Sequence, residues 1–302
     1  MNFRILNYFL TVAKEQNITK AAELLHITQP TLSRQLTQLE DELGVQLFQR
    51  SSHKLILTEA GNMLLHRGKD ILELVEKTEL ELKDTNKQLN GNICIGAGEL
   101  HSVKLLSYII SAFRHQHPQV TFDLITNTAD VVKEKMEKGL IDIALLVEPI
   151  DMVNYNFLIF PEKETLGVYM RKDMKLADKE NIAAEDLQGK EILLPSRLQV
   201  RSQILNWLSG SLSKINIVGT SNLLCNTKIL VEHNGLYAIA VYAPLDNDNI
   251  CFKPLAPSLD SSVFLAWRRN VQASPTVQSF IQFAQCFLSM NATDNISIRH
   301  NS

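Results

Sequence analysis

The chain has 302 residues, an apolar fraction of 45% and a formal net charge of −3. This length provides for two or three compact units, and the near-neutral charge argues against non-specific electrostatic binding of nucleic acid. No apolar run approaches the ~18 residues of a membrane-spanning helix, and the amphipathic start is unlike a signal peptide, so we expect a cytoplasmic protein with no membrane partner.

The first 43 residues predict three helices. Residues 3–15 are amphipathic, and residues 19–43 predict a helix, a tight turn and a second helix. Thr19 and Thr28 are expected to cap the helices of this pair, because a threonine hydroxyl can accept a hydrogen bond from a first-turn N–H. Pro30 fits the first turn of the second helix, where a missing N–H costs little. The expected apolar side of the helix at 3–15 consists of Phe3, Leu6, Phe9, Leu10 and Ala13.

The second helix of the pair has one apolar and one polar face. Its leucines at 32, 36, 39 and 43 lie on one helical stripe, which predicts the buried side. The opposite face carries hydrogen-bonding groups near the helix N-terminus, as a helix that enters the DNA major groove requires. An ordinary helical bundle with a solvated polar face is the alternative. The candidate DNA-binding residues of this segment are Thr28, Gln29, Pro30, Thr31, Ser33, Arg34 and Gln38.

A β-hairpin wing is predicted directly after this helix. Gly44 suits the residue that ends a helix, and two short β-like runs follow at 46–48 and 54–57. The polar tip between the two runs could reach DNA phosphates or a minor groove. The candidate contacts in this wing are Arg50, His53 and Lys54.

A set of residues spread over the first sixty positions matches one known pattern. It consists of Phe9, Val12-Ala13, Thr19, Ala21-Ala22, Leu25, Gln29-Pro30, Leu32-Ser33, Leu39-Glu40, Leu43-Gly44, Leu47-Phe48, Arg50, Leu57-Thr58 and Ala60-Gly61. Together these residues resemble the N-terminal winged helix-turn-helix of the LysR-type transcriptional regulators. The remainder of the chain resembles the same family in outline.

The resemblance implies a winged helix-turn-helix (α with a small β wing) at 1–58, a linker helix at 59–90, and an α/β two-lobed effector domain that is similar to periplasmic binding proteins. It implies a sequence-specific transcriptional regulator, not an enzyme, with no cofactor. Double-stranded DNA, a small-molecule effector and the chain itself, as a homodimer or homotetramer, are the implied partners, and RNA polymerase is a further candidate. A dimer would place two recognition helices about one DNA turn apart.

A long helix is predicted from Thr58, its expected N-cap, to about Leu89. Residues seven positions apart form an imperfect heptad seam, which is enough for a two-helix contact. The resemblance favours a linker helix that dimerises, and packing on its own domain is the alternative. The rows of the seam are Leu65, Leu72, Glu79 and Asn86, then Gly68, Val75, Leu82 and Leu89, and beside them Leu64, Ile71 and Thr78.

Beyond the turn at 90–92, strands alternate with helices, which predicts parallel, doubly wound sheets. Two such units, joined by crossings near 162–164 and 267–269, resemble the effector domain of the same family. The predicted segments are lobe I at 91–163 and 268–290, lobe II at 164–267, and a disordered tail at 291–302.

In a two-lobed domain of this kind the ligand lies between the lobes, at strand ends and helix starts. Leu100 stands where many relatives have Thr or Ser for a carboxylate, so Ser102 or His101 is expected to substitute. Glu99 would oppose an anion and suit an amine, whereas Arg197 could hold an anion. Loop capping and surface solvation are the alternatives. The candidate effector-binding residues are Glu99, Leu100, His101, Ser102, Thr128, Ser196, Arg197 and Asn226.

Catalysis and metal binding have little support in the sequence. It contains no Gly-x-Ser-x-Gly, His-Glu-x-x-His or Walker motif, and His115 and His117 are too close in sequence to share a helix face. Gly96-Ala97-Gly98 lacks the third glycine of a phosphate-binding loop. The rival function is a solute-binding or enzymatic α/β protein whose N-terminal helices serve only for interaction.

The four cysteines, at 94, 225, 251 and 286, are scattered and form no Cys-x-x-Cys pair. We expect reduced and mostly buried thiols, as is usual in the cytoplasm. A redox sensor is a third candidate function, because some relatives of the resembled family sense oxidants.

Overall fold

The computed structural model describes residues 1–50, 55–82, 89–244 and 249–298. The chain divides into two compact units, Met1–Lys83 and Asp84–Ser302. The first unit contains the predicted helix-turn-helix, and the second contains both predicted lobes. None of the helices within the described ranges is long and apolar enough to cross a membrane.

In its described residues, the first unit has four α-helices and a two-stranded antiparallel sheet. The helices are α1 (Phe3–Glu15), α2 (Ile18–Leu24), α3 (Gln29–Leu43) and α4 (Glu59–Leu82), and the strands are β1 (Phe48–Arg50) and β2 (Leu55–Leu57). The predicted winged helix-turn-helix is therefore confirmed, with the first wing strand shifted by two residues toward the C-terminus.

The leucine stripe on α3 is buried except at its end. Its first three members are at most 4% exposed, whereas Leu43 is 41% exposed. Leu43 is the last residue of α3, and Gly44 follows with a φ of 67°, a left-handed conformation that ends the helix as predicted. On α1 the prediction was wrong at Phe3, which is 57% exposed, because Ile5 and Val12 supply the buried face instead.

The start of α2 differs from the prediction. The Asn17 side chain accepts a hydrogen bond from Lys20 N at 3.0 Å, so that Asn17 is the N-cap and α2 begins at Ile18. Thr19 therefore lies inside the helix and does not cap it. An asparagine side chain satisfies a first-turn N–H at least as well as a threonine hydroxyl, which explains why the chain uses it here.

The two other predicted N-caps, Thr28 and Thr58, stand directly before their helices. Thr28 precedes α3, but its hydroxyl lies 2.8 Å from the Thr31 hydroxyl and caps no backbone N–H. Thr58 precedes α4 and accepts a hydrogen bond from Gly61 N at 2.9 Å. The Thr58 hydroxyl also donates to the Gln46 carbonyl at 2.7 Å, which joins the start of α4 to the segment before the wing.

Part of the predicted seam on α4 is used inside the first unit. Leu64, Leu65, Ile71 and Leu72 pack against the core that α1, α2 and α3 build. Gly68 allows α1 to approach closely, since a Cβ at this position would lie 2.9 Å from Leu6 Cδ1. The alternative of packing on its own domain is therefore correct for these rows. Asn86 lies outside the described residues, and Leu89 packs in the second unit.

The second unit contains eleven strands and five helices among its described residues. The strands are β3 (Gly91–Ala97), β4 (Val120–Thr126), β5 (Ile143–Val147), β6 (Tyr155–Ile159), β7 (Glu164–Arg171), β8 (Glu191–Pro195), β9 (Asn216–Ser221), β10 (Tyr237–Val241), β11 (Ile250–Pro254), β12 (Asp260–Ser261) and β13 (Val263–Arg268). The helices are α5 (Val103–Gln116), α6 (Ala129–Glu137), α7 (Leu198–Trp207), α8 (Leu224–Asn234) and α9 (Pro275–Ile298).

The predicted parallel pairing is found between β4, β3 and β5 and between β10, β8 and β9, but both sheets are mixed because other strands run antiparallel. The first sheet has the order β4-β3-β5-β13-β6, and β13 runs antiparallel to both of its neighbours. The second sheet has the order β11-β7-β10-β8-β9, with β12 paired to β7, and β7 runs antiparallel to β10 and β11. The strands β7 and β13 each follow a crossing between the lobes, so no β-α-β connection forces them to be parallel.

Lobe II ends earlier than predicted. We assigned residues up to 267 to lobe II, but β13 belongs to the first sheet, where Leu265 pairs with Leu145 on β5 and with Leu158 on β6. The second crossing therefore lies between Ser261 and Val263 rather than at 267–269. A buried apolar strand fits either sheet, and only the pairing partners decide between them.

Helices cover both faces of the first sheet. Ile93 and Ile95 of β3 pack with α5 and α9 around Phe113 and Phe280, whereas Cys94 packs on the opposite face with α6. The helix α9 returns to lobe I as predicted. It continues to Ile298, so residues 291–298 are helical where we expected a disordered tail. Residues 299–302 lie outside the described part of the chain.

Gly61 is a site where packing leaves no room for a side chain. A Cβ would lie 2.1 Å from the Leu47 carbonyl oxygen and 2.9 Å from Leu57 Cδ2. We expect Gly61→Ala to lower the free energy of unfolding of the first unit by about 2 kcal/mol, because the overlap outweighs the higher helix propensity of alanine. Urea denaturation followed by circular dichroism measures this loss. Lys69→Ala, at an exposed position of the same helix, is the matched control and should stay within about 0.5 kcal/mol of the wild type. Equal stabilities of the two variants would contradict the packing argument.

Candidate functional site

The outer face of α3 carries the DNA-binding residues predicted for this helix. Gln29, Pro30, Thr31, Arg34 and Gln38 are exposed, Thr28 is exposed just before the helix, and Ser33 is half-buried. Within the described part of the chain Arg34 makes no ion pair, so its guanidinium is available to a partner. The Gln38 amide donates to Glu42 Oε1 at 3.3 Å, which places an acidic group beside the C-terminal part of this face. The N-terminal half of α3 is therefore the part suited to an anionic partner.

Glu40 positions the wing, a role that the sequence analysis did not assign. Its Oε1 accepts hydrogen bonds from Leu47 N at 2.6 Å and from Phe48 N at 3.1 Å, so the buried side of α3 holds the first strand of the wing. A half-buried glutamate next to Leu39, on the leucine stripe, was the available signal, because such a carboxylate needs hydrogen-bond donors.

The wing itself is only partly described. Arg50 is the last residue of β1, at the tip of the two-stranded sheet. His53 and Lys54 lie outside the described residues. The wing contacts proposed for these three residues therefore remain predictions.

The second unit contains a cavity of about 150 Å³ between its two sheets. Its walls are the carboxyl ends of β3, β5 and β8 and the first residues of α6, α7 and α8, as expected for a ligand site between lobes. Most of the lining is apolar. The apolar side chains are Leu100, Ala129, Leu145, Val147, Leu166, Leu193, Leu194, Pro195, Val200, Leu223, Leu224, Ile239, Ala240 and Val241. Five of the predicted effector-binding residues are among the lining residues, namely Glu99, Leu100, Thr128, Ser196 and Arg197.

Three predicted residues, His101, Ser102 and Asn226, are not among the residues that line this cavity. The backbone N–H groups of His101 and Ser102 donate to the carboxylate of Glu164 at 3.3 and 2.9 Å. The Ser102 hydroxyl donates to the same carboxylate. Ser102 and Glu164 are each 1% exposed, and their bond joins the start of α5 in lobe I to the start of β7 in lobe II. Asn226 is exposed on α8, where Thr227 faces the cavity instead.

The side chain of Arg197 crosses from lobe II to lobe I, where its guanidinium has partners in the protein. It precedes α7 in lobe II, and its Nε lies 3.3 Å from Asp130 Oδ1 in lobe I. Its two other nitrogens, Nη1 and Nη2, donate to the carbonyls of Val147 and Pro149 at 3.2 and 2.5 Å. The side chain is only 10% exposed. All three guanidinium nitrogens are therefore committed to lobe I.

Glu99 spans the cleft in the opposite direction. It follows β3 in lobe I, and its carboxylate accepts hydrogen bonds from the backbone N–H groups of Leu224 and Cys225 at the start of α8 in lobe II. The free N–H groups of a helix N-terminus favour a negative charge, which explains why a carboxylate lies there. The carboxylate of Glu99 thus occupies a position that could have held an anionic ligand.

Tyr169 supports the floor of the cavity. Burial raises the pKa of its hydroxyl well above the usual value, so the group stays protonated. The hydroxyl donates toward the carbonyls of Val241 and Ala243 at 3.2 and 3.3 Å and accepts from Ala243 N at 2.8 Å. Because Val241 lines the cavity, this network fixes one wall. A tyrosine inside a buried apolar strand was the signal for it, since a buried hydroxyl requires partners.

The structure also places the glycine loop at 96–98, the four cysteines and the possible metal ligands. A Cβ at Gly96 would lie 2.5 Å from Val132 Cγ1 and 2.8 Å from Ile141 Cδ1, so the close approach of α6 to the sheet is sufficient to explain a glycine here. All four cysteines are free thiols, but Cys225 and Cys286 are exposed, so the expectation of mostly buried thiols was wrong for these two. Among the described residues no group of three His, Cys, Asp or Glu side chains could hold a metal ion.

Two family models match the chain. Residues 3–62 match the model described as "Bacterial regulatory helix-turn-helix protein, lysR family". Residues 86–288 match the model described as "LysR substrate binding domain". The first match contains the helix-turn-helix and the wing, and the second contains the cavity and both sheets.

Individual proteins resemble the chain over nearly its full length. The Hca operon transcriptional activator HcaR of Escherichia coli (strain K12) is 29% identical over 296 residues, which are 94% of this chain and 97% of that protein. The HTH-type transcriptional regulator YybE of Bacillus subtilis (strain 168) is 30% identical over 94% of this chain and 98% of that protein. The crystal structure of full-length CbnR complexed with its target DNA superposes with a TM-score of 0.75, at 21% identity, over 94% of this chain and 99% of that one.

The commitment of Arg197 to lobe I can be tested by its removal. Arg197→Met keeps much of the side-chain volume but leaves the carbonyls of Val147 and Pro149 without these donors. We expect the free energy of unfolding of the second unit to fall by about 1–3 kcal/mol, because partners of a lost buried hydrogen bond stay desolvated. Scanning calorimetry measures the loss. Arg201→Met, one turn along the same helix and outside the cavity lining, should change stability by less than about 0.5 kcal/mol. Unchanged stability of the Arg197→Met variant would mean that the bonds across the cleft contribute little.

Proposed function

Because the chain belongs to the LysR family of transcriptional regulators, we propose that α3 and the wing bind DNA and that the cavity between the lobes holds a small-molecule effector. The observation that carries the DNA part is the free N-terminal half of α3, where exposed hydrogen-bonding side chains surround an unpaired Arg34 in the described chain. A helix buries one face and reads base edges with the other in such domains. The proposed contacts are those of α3 named above, together with Arg50, His53 and Lys54 of the wing.

We propose residues 1–58 as the DNA-binding domain and the helix from 59 toward 90 as a linker that dimerises. The rows of α4 that pack on α1 are not available for dimerisation, so the contact must use the other sides of the helix, where Met63 and Leu74 are 66% and 40% exposed. A homodimer or homotetramer would present paired recognition helices to a near-palindromic site. RNA polymerase is a further proposed partner, and the cytoplasm is the proposed location because the DNA is there.

The effector is proposed to act on the contacts between the lobes. Glu99, Glu164 and Arg197 each leave one lobe and bond the other, so a molecule in the cavity changes the balance between closed and open lobes only if it prefers one of them. That preference is what couples the cavity to DNA binding. No chemical step is involved, and we propose that the chain is not an enzyme.

The DNA-binding proposal is tested by capture of genomic fragments with the full-length protein, followed by a mobility shift at moderate salt. A shift that a specific duplex causes and an unrelated duplex of equal length does not cause supports the regulator. Failure to retain any upstream DNA, together with turnover of a small metabolite, would instead favour the rival solute-binding or enzymatic function.

Arg34 offers the sharpest single-residue prediction. If its guanidinium reads a guanine edge, Arg34→Ala should cost about 1–3 kcal/mol of specific DNA affinity, roughly 5- to 150-fold in Kd. A footprinting titration on a captured fragment measures this change. Arg114→Ala, on α5 of the effector domain, removes the same charge far along the sequence from α3 and should bind as the wild type does. Wild-type affinity of the Arg34 variant would refute the assigned role.

A further inference from the structure

The charged groups around the cavity point to the class of its ligand. Three charged side chains are among its described lining residues: the carboxylates of Glu99 and Glu148 and the guanidinium of Arg197. Arg197 is the only cation of the three, and its nitrogens bond Asp130 and two carbonyls of lobe I. The two carboxylates outnumber the single guanidinium, whose three nitrogens already have partners in lobe I, so the polar end of a ligand meets a net negative lining.

Glu99 holds the position where a ligand carboxylate would otherwise be most favourable. The N–H groups of Leu224 and Cys225 already receive its carboxylate, and Leu224 lines the cavity beside it. A second carboxylate at this end would face a like charge in a poorly hydrated site, which raises its free energy. An amine or an amide would instead donate to the lone pairs that Glu99 leaves free.

The lining also contains two neutral hydroxyls that are available to a ligand. Those of Thr128 and Ser196 make no hydrogen bond to the described part of the chain and so can turn toward a bound molecule. The rest of the lining is mostly apolar, and Leu100 offers no donor; its other polar residues are Asn127, Ser221, Asn222, Thr227 and Ser261. The lining thus fits an apolar body with one small polar end.

We propose that the cavity binds a largely apolar molecule whose polar end is a neutral or cationic hydrogen-bond donor, and that Glu99 determines this specificity by excluding carboxylates. The inference rests on the proposed effector function of the cavity and adds the chemical class of the effector. Glu148 takes a smaller part, because it is exposed and already accepts a hydrogen bond from Ser262 N at 3.1 Å.

Three compounds that differ only in their polar end test the proposal: cyclohexanecarboxamide, cyclohexylmethylamine and cyclohexanecarboxylate. Each is titrated into the full-length wild-type protein and into Glu99→Gln by isothermal calorimetry. We expect the wild type to bind the amide and the amine at least tenfold more tightly than the carboxylate. In Glu99→Gln, carboxylate affinity should rise at least tenfold, amine affinity should fall, and amide affinity should change by less than about threefold.

Glu99→Gln retains an amide oxygen that can accept from Leu224 N, so the start of α8 keeps a cap. Glu180→Gln is the matched control, since it removes an exposed carboxylate that lies outside the lining and should leave all three affinities as in the wild type. Circular dichroism and cooperative thermal unfolding establish that each variant is folded.

The possible outcomes distinguish the specificity assigned to Glu99 from the effector function of the cavity. If the wild type binds the amide but binds the carboxylate equally well, or if Glu99→Gln brings no gain for the carboxylate, the assigned specificity is wrong while the effector cavity stands. Absence of binding by all three compounds to both proteins would overturn the effector cavity, and the specificity with it.

Discussion

The form of the cavity between the lobes depends on three charged side chains that cross from one lobe to the other. Arg197 reaches from lobe II to two carbonyls and Asp130 of lobe I, and Glu99 reaches back to the start of α8. Glu164 joins β7 to the start of α5 at the first crossing between the lobes, the hinge. Together these contacts hold the two sheets at a separation that leaves the cavity between them.

Such contacts are suited to regulation because their net free energy is small. A partly buried charge gains from its hydrogen bonds nearly what it loses in hydration, so contacts of this kind favour one arrangement of two lobes only modestly over another. A ligand of modest affinity can then shift the balance, provided that it interacts differently with the two arrangements. The hydrogen bond between Glu164 and Ser102 is buried, so a ligand in the cavity cannot easily compete for it. The hydrogen bonds of Glu99 and Arg197 border the cavity and are more accessible to a ligand. The hinge and the cleft are thus held by contacts of different accessibility.

In the DNA-binding unit, too, hydrogen bonds from polar side chains join separate segments of the chain. Glu40 holds the first wing strand to α3, and Thr58 joins the start of α4 to the segment before that strand. Both bonds run from a helix to the backbone of the wing region. The wing therefore keeps its place relative to α3 although the described sheet has only three residues in each strand. A fixed wing and a fixed recognition helix can approach neighbouring grooves in one register.

Local patterns in the sequence were sufficient for the features that depend on neighbours along the chain. The buried stripe of α3, the left-handed Gly44 and the cap at Thr58 are all set within a few residues, and so is the polar face that favours DNA as the partner. The alternation of strands and helices likewise predicted two lobes. Even so, the predicted N-cap of α2 was wrong by two residues, since Asn17 and not Thr19 caps this helix.

Only the tertiary structure decided where distant groups meet. Arg197 donates to the carbonyl of Val147, which is fifty residues away in the sequence. Ser102 donates to the carboxylate of Glu164, which is sixty-two residues away. The strand β13 could pair in either sheet until its partners were known. Such choices depend on which surfaces the folded lobes bring together. The segment at 19–43 thus identifies DNA as the partner, whereas the cavity and its charges, which no local pattern contains, determine what the rest of the chain can bind.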